Sequence, residues 1–424
     1  MNRRSFVKSA ALAGASLSTF SVLRGQSAPA AARVRLGIIG SGGRANAITK
    51  SFLNAAALLN VKVEFVAVAD VFEDRIQAYC EKFEIPAERG HAGFSSYQRV
   101  AESNADIILT AAPPAFRPLH LDACIEAGKH CFVEKPVGVD PVGARRIMAI
   151  GELAQSKGLN IVAGTQRRYD LAYRSAYQQI AAGAIGDILG GAIYWNGRVP
   201  WISPRKDGQS DALYLARNWL NFTELSGDHI VEQHIHQIDV ANWFMGRPPR
   251  AFLGMGGRAR RETGNQYDFF SVDFDYGDGV HILSQCRQIS GCYNRVGESF
   301  RGSKGFTQGT KVAGDSPDLP SLQQEHPSGQ IQEQVDLLKG VLGSGPYRND
   351  AHAVAESTLC AVGARISAYT GQIVRWIDLT ENVNSPLYSL QLAPSPKDFE
   401  SDSVLMPAET PPIPGSADGL KVNA

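Results

Sequence analysis

The feature that constrains this chain most is an apolar strand that runs straight into a glycine turn and then a helix. The stretch VRLGIIG, starting at Val34, is followed by SGGRANAITKSFLNAAALL and by a second strand, VEFVAVAD, that ends at Asp70. Strand, helix and strand in this order specify a parallel sheet with crossover helices. The turn itself, Gly40-Ser41-Gly42-Gly43-Arg44-Ala45, carries the pattern GxGxxA. Glycine there lets the backbone turn tightly and approach a pyrophosphate, while the helix start offers unpaired N–H groups and a positive dipole end. Asp70, 30 residues after Gly40, ends the second strand where a carboxylate can accept from both ribose hydroxyls of an adenosine. The interval is longer than usual, which an extended first helix or an extra turn at residues 55–60 absorbs. An acid with no Ser/Arg pair beside it favours NAD over NADP, whose 2′-phosphate would meet negative charge.

The same alternation continues through a helix at 73–83, the strand ADIILTAA, the helix HLDACIEAG and the strand HCFVEK. Pro113-Pro114 and Pro136 punctuate the ends of two strands, at the carboxyl edge where ligands sit in an open α/β sheet. Beyond Leu159 the segments lengthen and alternate, as in YDFFSVDFDYGDGVHILSQCRQI with its turn at Gly277-Asp278-Gly279, which reads as mostly antiparallel sheet. The expected fold is α/β followed by α+β: a Rossmann domain with a parallel sheet at 33–155, then a domain at 156–377 built on a large, mostly antiparallel open sheet. The second domain is expected to hold substrate and oligomer contacts, with a helix at 352–369 packing back on the first. The Pro- and Ser-rich tail, 378–424, reads as an extended arm.

Lys plus Arg equals Asp plus Glu at 42 each, so no basic field exists to hold nucleic acid. Six cysteines without a CxxC pair require no disulfide framework and read as small buried apolar residues. At the N-terminus, Arg3-Arg4-Ser5-Phe6-Val7-Lys8 precedes an apolar run from Ser9 to Leu23 and then Ala28-Pro29-Ala30. This order resembles a twin-arginine export signal over residues 1–30, and the run is too short and too rich in Ala and Ser for a permanent span. The expected location is periplasmic, and a folded exported enzyme must capture its cofactor before it leaves the cytoplasm.

Three further segments carry a family resemblance: AGKHCFVEKP at 127–136, TQRRYDLAY at 165–173 and LSGDHIVEQHIHQIDVANWFMG at 225–246. With the glycine turn, they resemble the Gfo/Idh/MocA oxidoreductases across residues 34–372. The resemblance implies that Glu134, Lys135 and Pro136 lie beside the nicotinamide ring, with Pro113 also at the cofactor. It implies that Lys135 shares the substrate oxygen, and that the open face of the second domain builds dimers or tetramers. The chain departs from the family pattern in having Glu232 where many members have Asp, and in adding His229 and His234.

Treated as one helix at about 100° per residue, residues 229–239 put His229, Glu232, His236 and Asp239 on one side and Ile230, Val231, Ile235 and Ile238 on the other. His234 points away. Oxidising a secondary alcohol needs a base at the hydroxyl, for which His236 is the candidate, with Glu232 orienting its imidazole and Lys135 stabilising developing alkoxide. Asp239 either touches substrate or fixes the helix; Arg168 and Tyr173 belong to the cleft or to the surface. Trp195, Trp201 and Trp219 either stack on sugar or fill the core. The expected function is an NAD-dependent oxidation of a secondary hydroxyl on a sugar, glycoside or polyol, with NAD held tightly and no metal. A redox-neutral glycosidase or lyase that oxidises transiently is the alternative. A zinc hydrolase using His229, Glu232, His234 and His236 needs convergent ligands at about 2.0–2.3 Å, which the wheel denies. A non-catalytic sugar sensor shares the fold.

Overall fold

The computed structural model describes residues 32–416, so the export-like segment 1–30 lies outside the described residues. The first half alternates as β1 (Ala32–Ile39), α1 (Gly43–Leu58), β2 (Val61–Asp70), α2 (Glu73–Lys82), β3 (Gly90–Ala92), α3 (Ser96–Ala101), β4 (Ile107–Thr110), α4 (Arg117–Glu126), β5 (His130–Val133), α5 (Pro141–Ser156) and β6 (Ile161–Ala163). These strands form a six-stranded parallel sheet in the order β3-β2-β1-β4-β5-β6. Val34, Leu36, Ile38 and Ile39 are all buried because helices cover both faces, which is why the strand reads as a continuous apolar run. On α1, Ile48, Phe52 and Ala56 recur at helical spacing and are buried against the sheet. The strand order reverses between β1 and β4, and a doubly wound sheet opens its ligand crevice at that point.

The second half comprises α6 (Leu171–Ala181), β7 (Ile188–Gly197), α7 (Asp211–Arg217), α8 (Thr223–Ser226), α9 (His229–Glu232), α10 (Ile235–Met245), β8 (Ala251–Gly257), β9 (Phe269–Asp275), β10 (His281–Gln288), β11 (Arg295–Gly302), β12 (Phe306–Gln308), β13 (Lys311–Ala313), α11 (Gly329–Val341), α12 (Ala351–Thr370) and β14 (Val374–Arg375). Its eight-stranded sheet runs β13-β12-β11-β7-β10-β9-β8-β14, with β7 and β10 parallel and the other pairs antiparallel. Period-two alternation sends Phe270, Val272 and Phe274 of β9 inward, and leaves Leu253, Met255, Phe269 and Leu283 exposed on the outer face. α12 lies between the halves. Its first turns pack with α5 through Ala351 and Val354, and its later turns join the core under β8 and β9. Buried Arg365 donates to the carbonyls of Val139 and Gly227, one on each side. The tail returns to the first domain, where Asp140 accepts from the N–H groups of Leu392 and Ala393 and Phe399 packs on Phe94 and Phe116.

One expectation fails locally. Residues 225–246 are three short helices, because Gly227 (φ 81°) and Asp228 (φ 74°) both take left-handed backbone and end α8. A second break at Gln233-His234 separates α9 from α10.

Candidate active site

At the end of β1, Gly40 has φ 85°, and a Cβ on it would sit 2.6 Å from the backbone nitrogen of Ala112. Only glycine fits there, so the turn lies against the loop that follows β4. Gly42 caps α1 without any side-chain hydrogen bond and no acid occupies the first turn, so the helix start faces the cleft with free N–H donors. The cleft has a volume of about 300 Å³ and is lined by Gly40, Gly42, Gly43, Arg44, Asp70 and Pro113. Ser41 and Ala45 are buried beneath it rather than lining it. Asp70 is also more occupied than its sequence position suggests: Oδ2 accepts from the Ser41 N–H at 2.7 Å and from its Oγ at 3.2 Å, and Oδ1 accepts from the Phe72 N–H at 3.1 Å. Oδ2 is filled by its two donors while Oδ1 retains capacity for one more, so one ribose hydroxyl can be recognised without loss of the loop anchoring. The fit to a dinucleotide is therefore good: a glycine turn without room for a Cβ, an uncapped helix start and an acid at the tip of β2.

Sequence reasoning missed the roof of this cleft. Trp201, Trp219 and Pro396 line it from the second half and the tail, while Arg75 and Phe72 line it from the start of α2. Arg217 lies over the Phe72 ring at 3.7 Å and pairs with Asp74 at 2.8 Å, fastening the roof. Trp201 and Trp219 thus line the nucleotide end of the cleft, and Trp219 also packs against the small apolar cluster around Phe116 and Phe222. Arg75 was readable as a cation one turn past Asp70; the tryptophans were not, since more than a hundred residues separate them from the turn.

At the other end, β5 delivers Glu134 and Lys135. Glu134 is buried, accepts from Arg44 Nε at 2.5 Å and from the Lys135 N–H at 3.1 Å, and has Gly164 against it, where a Cβ would lie 2.9 Å away. The Lys135 ammonium donates to the Glu232 carbonyl at 2.6 Å and to its Oε1 at 3.0 Å. This differs from the expected arrangement, because Glu232 holds Lys135 and makes no hydrogen bond to His236. The break before α10 is the reason, since it rotates α9 away from the register of a continuous helix. His236 instead stacks on Trp195, with ring centroids 5.5 Å apart. Its imidazole is held well below the ordinary histidine pKa, by burial first and then by Lys135, Arg167 and Arg44, and so stays neutral.

Asp239 is buried and accepts from Arg168 Nε at 2.9 Å and Nη2 at 3.0 Å, and from Ser357 Oγ at 2.8 Å. It fixes α10 to its neighbours and does not face the cleft as a free carboxylate. Burial opposes the Arg168 charge, but Asp239 outweighs it and raises the pKa. The Tyr173 hydroxyl accepts from Arg167 Nε at 3.1 Å and donates to Glu298 Oε1 at 3.0 Å; burial pushes its pKa to about 12. The added histidines disperse. His229 turns into the core against Asp228 and Phe270, leaving the face where a single helix would have placed it. His234 bonds Ser284 Oγ at 2.8 Å. With Glu232 on Lys135 and His236 on Trp195, these four side chains do not converge as a zinc set.

Residues 34–164 match the GFO/IDH/MocA oxidoreductase family, NAD-binding Rossmann fold. Residues 173–307 match the GFO/IDH/MocA C-terminal domain. A 1-carboxy-3-chloro-3,4-dihydroxycyclohexa-1,5-diene dehydrogenase of Comamonas testosteroni is 26% identical over 276 residues, which cover 62% of this chain and 62% of that relative. Inositol 2-dehydrogenase 1 of Saccharopolyspora erythraea is 27% identical over 218 residues, 50% of this chain and 54% of the relative. The chain therefore spans less than two thirds of the length of either. The solved scyllo-inositol dehydrogenase from Lactobacillus casei, with NAD(H) and scyllo-inositol bound, superposes with a TM-score of 0.61 at 18% identity, over 81% of this chain and 99% of that one. That likeness shows a shared fold. With both halves matched in order, the chain belongs to the Gfo/Idh/MocA oxidoreductase family, with the NAD-binding Rossmann domain at its N-terminal side.

Proposed function

We propose that the protein oxidises a secondary hydroxyl of a sugar, glycoside or polyol. The observation that carries this reading is the pairing of a half-buried, fastened ammonium, Lys135, with a neutral imidazole, His236, beyond one end of a dinucleotide cradle. NAD, when bound along Gly40, Gly42, Gly43, Arg44 and Asp70, supplies the hydride acceptor. Lys135 donates to the substrate oxygen and favours its anionic form, while His236 accepts the hydroxyl proton. Glu232 sets the direction of the Lys135 ammonium. The Lys135→Met and His236→Asn variants should each lower kcat by at least about 10²-fold while NAD still binds, as expected for groups that act in the transition state. Near-ultraviolet absorbance of reduced cofactor, followed over a panel of sugars and polyols, reads this out. Unchanged turnover in both variants would favour a different site, and no turnover by the unaltered protein with any member of the panel would favour a sensor.

The roof over the nucleotide end, formed by Trp201, Trp219 and Pro396, supports tight retention of NAD. The export-like N-terminus supports the same reading, since no renewed supply of free nucleotide is expected in a periplasmic location. Retained cofactor also favours the redox-neutral alternative, in which a hydroxyl is oxidised, a neighbouring bond cleaved and the hydride returned. Purified protein should carry near-stoichiometric nucleotide, and deleting residues 394–424 should speed its release. Nucleotide-free protein with weak affinity for NAD would exclude retention.

A further inference from the structure

Four cations gather around His236 and the neighbouring start of α10, and three are matched one to one. Lys135 pairs with Glu232 at 3.0 Å, Arg44 with Glu134 at 2.5 Å and Arg168 with Asp239 at 2.9 Å. Arg167 enters no ion pair among the described residues. Its Nε donates to the Tyr173 hydroxyl, while Nη1 is buried and has no hydrogen-bond partner. A guanidinium nitrogen removed from water and left unbonded is costly, and a ligand acceptor would relieve that cost. Glu298 lies close enough to feel the Arg167 charge but forms no ion pair with it, and burial raises its carboxyl pKa. Its Oε1 accepts from Tyr173 at 3.0 Å and its Oε2 accepts from Gln237. The guanidinium lies between two aromatic side chains, 5.5 Å from the Tyr173 ring centroid and 5.7 Å from that of Trp195, the ring that stacks on His236. It is thus fixed in direction and next to the proposed proton acceptor, whose neutrality it helps to enforce.

We infer that Arg167 recognises a carboxylate on the substrate, so that the oxidised molecule is a sugar acid, such as a hexuronic acid unit, rather than a neutral polyol. This rests on the reading of the cleft as a sugar-oxidising site and names its substrate class. One cation without an ion-pair partner suits a monoanion. A sugar phosphate would bring about −1.5 to −2 charges at neutral pH, and the other three cations are already committed. The planar fork of a guanidinium also matches a carboxylate, and flanking aromatic rings limit hydration of the pair.

Calorimetric titration of the NAD-loaded protein with D-glucuronate, D-galacturonate, their neutral parents glucose and galactose, and glucose 6-phosphate tests the inference. The same panel is followed in parallel by reduction of the bound cofactor. At least one acid should bind about 10- to 100-fold tighter than its parent, the range expected for a charge-assisted hydrogen bond in a buried site. In Arg167→Gln that ratio should collapse towards one, and in Arg167→Lys, which keeps the charge without the fork, it should fall only in part. Equal binding of acid and parent, equal losses for both in Arg167→Gln, tighter binding of the phosphate, or no binding by any member would each overturn it. Acid binding that depends on Arg167 without cofactor reduction would leave this inference standing and count against the dehydrogenase reading. Reduction by neutral sugars with no preference for the acid would do the reverse.

Discussion

At the scale of single residues, the chain keeps three histidines neutral inside the protein. Burial takes His120 and His234 down to about 3, helped at His120 by Arg117 and at His234 by His229 and Arg167, and His236 also falls well below the ordinary range. For a base with a depressed folded-state pKa, the unfolded chain binds more protons as pH falls, so stability is full above about pH 6.5 and declines below it. Each group contributes up to about 1.4 kcal/mol per pH unit, so the three together give a slope of up to about 4. Thermal midpoints should drop between about pH 7 and pH 5, and His120→Asn should flatten the decline; a flat profile would show that these rings titrate normally. Lys135, His236 and Asp70 were legible as residues, because each sits at a strand tip or helix face that the pattern locates. Their partners were not. Glu232 on Lys135, Ser41 on Asp70 and Asp239 on Arg168 depend on side-chain directions that spacing along the chain does not encode.

Among the elements, the two sheets were readable from period and turn residues, since a continuous apolar run marks a strand covered on both faces and alternation marks one covered on a single face. The start of α1 is the clearest example. Gly40→Ala must place a methyl group 2.6 Å from the Ala112 backbone nitrogen and force φ 85° on a residue with a side chain. The expected result is weakened NAD affinity together with a loss of stability of about 1–3 kcal/mol. NAD titration and denaturant unfolding measure both, and an alanine variant with unaltered affinity would mean that the β4 loop is free to withdraw. The broken helix at 223–245 was less readable. Gly227 alone signals a C-terminus, but Asp228 takes left-handed backbone because its buried carboxylate is wanted elsewhere, accepting from the His229 and Tyr267 N–H groups and the Tyr369 hydroxyl. Tertiary hydrogen bonds made that choice, so an amphipathic wheel drawn through the segment misplaced His229.

For the molecule as a whole, the outer face of the eight-stranded sheet carries exposed apolar side chains. Leu253 is 55% exposed and Met255 70% exposed, with Phe269 and Leu283 beside them. An apolar patch on a regular sheet face favours pairing with a second copy, as the family resemblance implies. Light scattering after size exclusion should give a dimer or larger assembly, and Met255→Asp should shift it towards monomer; a wild-type monomer at micromolar concentration would refute the proposal.

The helix shared by the two halves has a consequence for how the protein comes apart. Ala351 and Val354 complete the core of the parallel-sheet half, while Leu359 to Tyr369 complete the core of the other. Neither half owns its full interior, so neither can melt while its neighbour stays native. Scanning calorimetry should record one cooperative endotherm, with van't Hoff and calorimetric enthalpies in agreement, and an isolated 32–164 fragment should bind apolar dyes instead of folding. Two resolved endotherms would mean that α12 acts as a spacer, not a rivet.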